Sequence, residues 1–302
     1  MFIPMKALVI DCGSTQATAA VVDRSRASDA AAVEMTLPHG LNAATAPDGA
    51  FENLCRSCSR LIDMAGEVGE VYFYGAGCAT EEICARVASE LRMVFPVAAT
   101  VEVATDMLGS ARAMCGDEAG IVAILGTGSN SCLYDGTRIV ANVSPLGFIL
   151  GDEGSGAVLG RLFLGRVLKR QFSEKVLKRF EDAYPEVSTA DVIARVYRSE
   201  RRNAYLASFC PFISSCLDIP EVNDFVTGEF LRFITYNLSH YFSQETSIKV
   251  HFTGSIAYHF AQQLRQALAL SAHNVGTDKL TLGKILRTPL PSLAQYHYTH
   301  PR

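Results

Sequence analysis

Five short segments hold residues able to grip phosphate and to move a proton. Asp11-Cys12-Gly13-Ser14-Thr15 offers a carboxylate, two hydroxyls and a glycine that permits φ > 0 and close backbone approach to an oxyanion. Successive N–H groups at such a turn can cup one phosphate. Asp11 suits Mg2+ held through water, because that ion favours a carboxylate and keeps much of its hydration. Gly126-Thr127-Gly128-Ser129-Asn130 repeats the arrangement after a second apolar run. Neither segment is a Walker loop or a dinucleotide-binding glycine fingerprint. Gly254-Ser255 precedes an apolar helical stretch, where Ser255 reads as an N-cap and the first N–H groups favour an anion.

The remaining two segments carry carboxylates. Asp106 stands between an apolar run and helical sequence, a natural N-cap position that also suits a general base. From Gly147 to Gly156 four glycines frame Asp152 and Glu153. Asp152 could accept hydrogen bonds from ligand hydroxyls, and Glu153 reads as the carboxylate that opens the next helix.

The elements that must position these residues follow from hydrophobic periodicity. Strands are expected at Ala7–Asp11, Ala17–Val22 and Val33–Leu37. A helix at Phe51–Met64, a strand at Val71–Tyr74, a helix at Glu81–Leu91 and a strand at Val101–Ala104 follow. The pattern restarts with Gly120–Leu125, Ser131–Tyr134 and Arg138–Val143. Helices are expected at Glu153–Val167, Glu174–Phe180, Thr189–Arg198, Phe225–Phe242 and Ile256–Leu270, with strands at Ile248–Phe252 and Leu280–Leu286. Two units that each open with a three-strand meander and a polar, glycine-bearing first turn imply a duplicated α/β domain. The stretch from Arg161 to Tyr241 reads as helical elaboration of the second copy.

The chain has 302 residues, 49% apolar and 19% charged, which suits two medium globular domains. A net charge of −4 gives no electrostatic case for nucleic acid or an acidic membrane surface. The Met1–Lys6 start does not read as a secretory signal, so none is expected, and no run approaches the roughly 20 apolar residues of a membrane helix. A cytoplasmic location with nine reduced cysteines is therefore expected. Cys55 and Cys58 form a single C-x-x-C pair inside an apolar helical pattern, which reads as core packing.

Taken together and in this order, the five segments resemble the N-acetylglucosamine kinases. These kinases share a family with the activator ATPases of benzoyl-CoA reductase and 2-hydroxyacyl-CoA dehydratase. The most specific part is Gly126-Thr127-Gly128-Ser129-Asn130 followed by Gly151-Asp152-Glu153-Gly154-Ser155-Gly156. The resemblance implies an α/β fold of two duplicated actin-like, ribonuclease H-like ATPase domains around a central cleft. Residues 1–105 would form the first domain and 106–302 the second, the final helix returning to the first.

It further implies ATP and an amino sugar as substrates, with Mg2+ at Asp11 and Asp106 as the base toward the sugar 6-hydroxyl. Sugar contacts would come from Asn42, Asp106, Ser129, Asn130, Gly147 and Asp152. Gly13, Ser14, Thr15, Gly126, Thr127, Gly128, Gly254 and Ser255 would hold the nucleotide. A homodimer is the default assembly. Relatives often carry a Lys or Arg where this chain has Gln16. Two other functions on the same fold stay open: a sugar or nucleotide sensor, and an iron–sulfur activator ATPase using Cys115 and Cys132.

Overall fold

The computed structural model describes residues 5–27, 32–199, 201–241, 247–275 and 280–301. The chain divides into two compact units. One comprises residues 1–119, 134–139 and 288–302, and the other residues 120–133 and 140–287.

In the first unit, β1 (Lys6–Cys12), β2 (Ala17–Asp23) and β3 (Ala32–Thr36) form an antiparallel meander. Then come α1 (Ala50–Arg56), α2 (Ser59–Met64), β4 (Glu70–Gly75), α3 (Glu81–Val94), β5 (Thr100–Thr105) and α4 (Asp106–Cys115). The sheet order is β3-β2-β1-β4-β5, with β4 and β5 parallel to β1.

The second unit holds β6 (Gly120–Leu125), β7 (Ser129–Tyr134), β8 (Ile139–Val143), α5 (Gly147–Leu150) and α6 (Gly156–Leu168). It continues through α7 (Glu174–Ala183), α8 (Thr189–Arg198), α9 (Arg202–Ala207), α10 (Cys210–Ser215) and α11 (Pro220–Tyr236). It ends with β9 (Ile248–Thr253), α12 (Ser255–His259), α13 (Ala261–Val275) and β10 (Leu280–Leu286). Its sheet order, β8-β7-β6-β9-β10, repeats the first, with β9 parallel to β6 and β10 parallel to β9. Helix α14 (Leu290–Thr299) belongs to the first unit.

The apolar strand runs exist because the first sheet is covered on both faces. Leu8, Ile10, Val71 and Phe73 meet Phe51, Leu54, Leu61, Val87 and Leu91 of α1, α2 and α3. Their neighbours in sequence, Ala7, Val9, Tyr72 and Tyr74, face the other way, onto Ala113 of α4 and Leu290, Leu293 and Ala294 of α14. Cys55 lies in the first of these clusters, and burial pushes its thiol up to about 12. In the second unit, Phe163, Phe172, Phe180, Phe212 and Phe225 pack with the inner residues of β6 and β9.

Several boundaries differ from expectation, each for a local reason. The helix expected over Phe51–Met64 is two. Ser57 Oγ donates to the Leu54 carbonyl and Cys58 turns extended, so the hydrogen-bond ladder breaks there. Glu153 does not open a helix. Ser155, whose hydroxyl accepts from Val158 N, caps α6 at Gly156. The helix expected from Phe225 starts at Pro220, a favoured first-turn residue, and ends at Tyr236, before a 3-10 turn over Leu238–Tyr241. Phe242, its expected end, lies outside the described residues. The Ile256–Leu270 helix is split at Phe260.

Candidate active site

In the first unit, Cys12, Gly75 and Thr105 are in register across three parallel strands. The turns that follow therefore emerge at one edge, the carboxyl end where open α/β sheets bind ligands. Gly13 N donates to Gln16 O at 2.9 Å, closing the first turn and leaving Ser14, Thr15 and Gln16 exposed at its tip. Gly13 does not use the positive φ open to a glycine. The glycine that matters sterically here is Gly40, where a Cβ would sit 2.0 Å from Gly13 O. Gly40 N also donates to Thr15 O at 3.0 Å, so residues 40–42 lie directly against the turn.

The loop that carries Asn42 is held by three hydrogen bonds, one of them to the Asn42 side chain. Asn42 Oδ1 accepts from Ala44 N at 3.0 Å, Ala43 N donates to Ala76 O at 2.8 Å, and Ala76 N donates to Cys12 O at 2.9 Å. Arg86 of α3 clamps the far side of this loop by donating to the carbonyls of Ala43, at 2.5 Å, and Ala46, at 3.3 Å.

Asp106 is not the cap of α4. Thr105 is, its Oγ1 accepting from Leu108 N at 3.1 Å. The reason is one residue of phase: β5 runs through Thr105, so the extended cap position falls there and Asp106 enters the first turn. Its carboxylate accepts from Met107 N at 2.8 Å. Burial pushes the Asp106 carboxyl up, with backbone N–H groups opposing. Burial likewise pushes Asp11 up to about 7, and the charge of Asp106 adds to this. The two acids thus sit at the same sheet edge, close enough to repel. A divalent cation would relieve that repulsion, which suits Asp11 to an outer-sphere Mg2+ site. Among the described residues no group of three or more His, Cys, Asp or Glu could hold a metal.

The second unit repeats the layout. Ile124 pairs with Thr253, and Thr253 with Leu286, so the turns after β6 and β9 share one edge. Gly126 N donates to Gly128 O at 2.9 Å, and the first amides of α6 dock on this turn, Gly156 N on Gly126 O and Ala157 N on Thr127 O. Gly254 has φ +110°, and a Cβ there would lie 2.3 Å from Leu125 O, so the two turns touch through glycine. Gly254, not Ser255, holds the cap position of α12, and Ser255 is exposed in the first turn.

Asp152 closes this edge. It has φ +54° and is 8% exposed. Its carboxylate lies 3.1 Å from the position a Gly128 Cβ would take and accepts from Ser129 N. Burial pushes it up to about 6, opposed by that hydrogen bond and assisted by the Glu153 charge. Gly147 begins the exposed turn α5, tied to Asp152 through Gly151 N→Gly147 O and Asp152 N→Pro145 O.

The structure therefore gathers Asp11, Gly13–Thr15, Asn42 and Asp106 at one sheet edge. At the matching edge of the other sheet it gathers Gly126–Asn130, Asp152, Gly254 and Ser255, with Gly147 on a tethered exposed turn.

No family model and no curated protein matches the chain. A solved structure from Porphyromonas gingivalis, described as a "putative N-acetylglucosamine kinase", is 40% identical. The match covers 97% of this chain and 99% of that one, with TM-score 0.87. The chain belongs to the N-acetylglucosamine kinase-like family. A similarly described protein from Chromobacterium violaceum is 18% identical over 98% and 99% of the two chains, TM-score 0.68. A glucokinase from Streptomyces griseus, solved with glucose and AMPPNP, is 16% identical over 96% and 97%, TM-score 0.58. These last two share the fold of this kinase-like family: two duplicated actin-like α/β domains.

Against that family background, Cys132 is fully buried, which removes it as a ligand for an iron–sulfur cluster at a subunit contact. Two residues at the edges of this N-acetylglucosamine kinase-like chain escaped the sequence reading, Arg86 and Asn142. Arg86 sits in an ordinary helical pattern and Asn142 is the lone polar residue of the short strand Ile139–Val143, so neither belongs to a local motif.

Proposed function

We propose that the chain is an ATP-dependent sugar kinase that phosphorylates the 6-hydroxyl of N-acetylglucosamine or a close relative. The supporting observation is Asp106. Thr105 takes over the capping, so Asp106 stands at the ligand-binding edge of its sheet as a carboxylate whose proton affinity burial has raised. That is the environment a general base needs near neutral pH.

In this reading Asp106 accepts the proton of the 6-hydroxyl as the oxygen–phosphorus bond forms. The bond from the γ-phosphorus to the bridging oxygen breaks, and ADP leaves with that electron pair. Ser14, Thr15, Gly13, Gly126, Thr127, Gly128, Gly254 and Ser255 contact the nucleotide through hydroxyls and backbone N–H groups. Asn42, Ser129, Asn130, Gly147 and Asp152 orient the sugar. Mg2+ entering with ATP supplies neutralisation of phosphate charge, and Asp11 would hold it through water.

Incubation with Mg-ATP and a panel of amino sugars, read by ADP release and by 31P NMR of the product, tests the reading. N-Acetylglucosamine should yield the 6-phosphate. Asp106→Asn should lower kcat by about 10²–10⁴-fold without lowering the melting temperature. Turnover of no sugar in the panel would end it.

A further inference from the structure

Asn130 sits at the edge of the second sheet with its side-chain polarity set by groups whose own polarity is beyond doubt. Ser131 N, a backbone donor, points at one terminal atom of the Asn130 amide at 2.8 Å, so that atom is Oδ1. Ser131 O, a backbone acceptor, lies 2.5 Å from one terminal atom of the Asn142 amide, so that atom is Nδ2. The same Nδ2 lies 2.9 Å from Asn130 Oδ1. Its two protons thus divide between the Ser131 carbonyl and the Asn130 oxygen, and Asn130 Oδ1 receives two donors, one for each lone pair.

The neighbouring contacts hold β8 in place. Tyr241, 7% exposed, donates its hydroxyl proton to Ser131 O at 2.9 Å and accepts from Val143 N at 2.7 Å. Asn142 and Val143 are therefore anchored against Ser131 from both sides.

We infer that Asn142 is a positioning residue that fixes the Asn130 amide with Nδ2 outward, so that the site reads a hydrogen-bond acceptor oxygen of the sugar at that point. This deepens the kinase reading and rests on it for the identity of the ligand. With Oδ1 saturated, Asn130 has only donors left to offer. A sugar carrying a carbonyl, ring or hydroxyl oxygen there satisfies them, whereas an ammonium or a deoxy carbon leaves a desolvated donor unpaired.

Two measurements test this. In the ligand-free protein, 15N-edited NMR of the side-chain amides should show the Asn130 pair shifting on Asn142→Ala. An unmoved Asn130 pair overturns the inference whatever the enzyme turns over. In kinetics, Asn142→Ala and Asn142→Asp should raise the sugar KM about three- to tenfold, the range of one lost hydrogen bond, with kcat and the ATP KM within about twofold. In an Asn130→Ala background the same substitutions should no longer move the sugar KM. An equal rise in both backgrounds, or parallel losses for sugar and ATP, would assign Asn142 a purely structural role. An NMR shift as expected, with no sugar turned over by the wild type, leaves the amide arrangement standing and brings down the kinase reading instead.

Discussion

Asp11 and Asp152 illustrate what burial does to a single carboxylate. Their folded values lie at about 7 and about 6, both above the 3.8 of a solvated aspartate. The folded chain therefore binds these protons more tightly than the unfolded chain does. The stability this contributes is full below the unfolded value and is lost as pH rises through the folded one. Asp11→Asn should accordingly raise the melting temperature at pH 8, by about 2–5 °C for a chain of this size, and the gain should vanish near pH 4. A calorimetric melting series from pH 4 to 8 reads this directly, and a gain that grows toward acid would contradict it.

Gly40 poses a steric question at the same scale. Gly40→Ala places a methyl 2.0 Å from Gly13 O, so the first turn must move. A loss of roughly 1–3 kcal/mol in urea unfolding is expected, as for overpacked sites, together with a raised ATP KM. Unchanged kinetics would show that the turn does not serve the nucleotide.

At the scale of elements, α14 is held to its sheet by a chain of side-chain hydrogen bonds as well as by apolar packing. Arg112 of α4 donates to Tyr74 OH and to Glu102. Tyr74 OH, an acceptor toward Arg112, has its own proton left for His297 Nε2 at 2.8 Å. The His297 ring stacks on Tyr72 with centroids 3.7 Å apart, and Arg24 joins Glu70 to the His297 carbonyl. Tyr74→Phe removes the hydroxyl that serves both neighbours. It should cost about 1–3 kcal/mol in urea-induced unfolding, because buried polar groups lose their partner. A value near zero would mean that apolar contacts alone dock the helix.

A second element-level device is Glu90. From the middle of α3 it accepts from Phe51 N and Glu52 N and so supplies the cap that Gly49 cannot offer α1. Sequence spacing gave no hint of this, since the two residues are about forty positions apart and meet only when the helices pack.

At the scale of the whole molecule, the same strand order occurs twice, and in each sheet a glycine-bearing turn follows the first strand. If both turns serve the nucleotide, AMP-PNP with Mg2+ should slow amide hydrogen exchange at residues 13–16 and 126–130 alike. Protection of only one turn would remove the other from the nucleotide's contacts.

This repetition was legible in the amino-acid sequence because its signals are local. Apolar runs such as Ala7–Ile10 and Ile121–Leu125 end in small polar residues, and helical periodicity follows them. The α/β class, the duplication and the helical elaboration all rest on patterns within a dozen residues. What only the tertiary structure decided is everything that depends on register between distant segments: Thr105 rather than Asp106 as the cap, Arg86 against the Asn42 loop, and Asn142 against Asn130. A hydrogen bond is directional and short-ranged, so its partner is chosen by strand register and helix packing, which residue types alone do not encode.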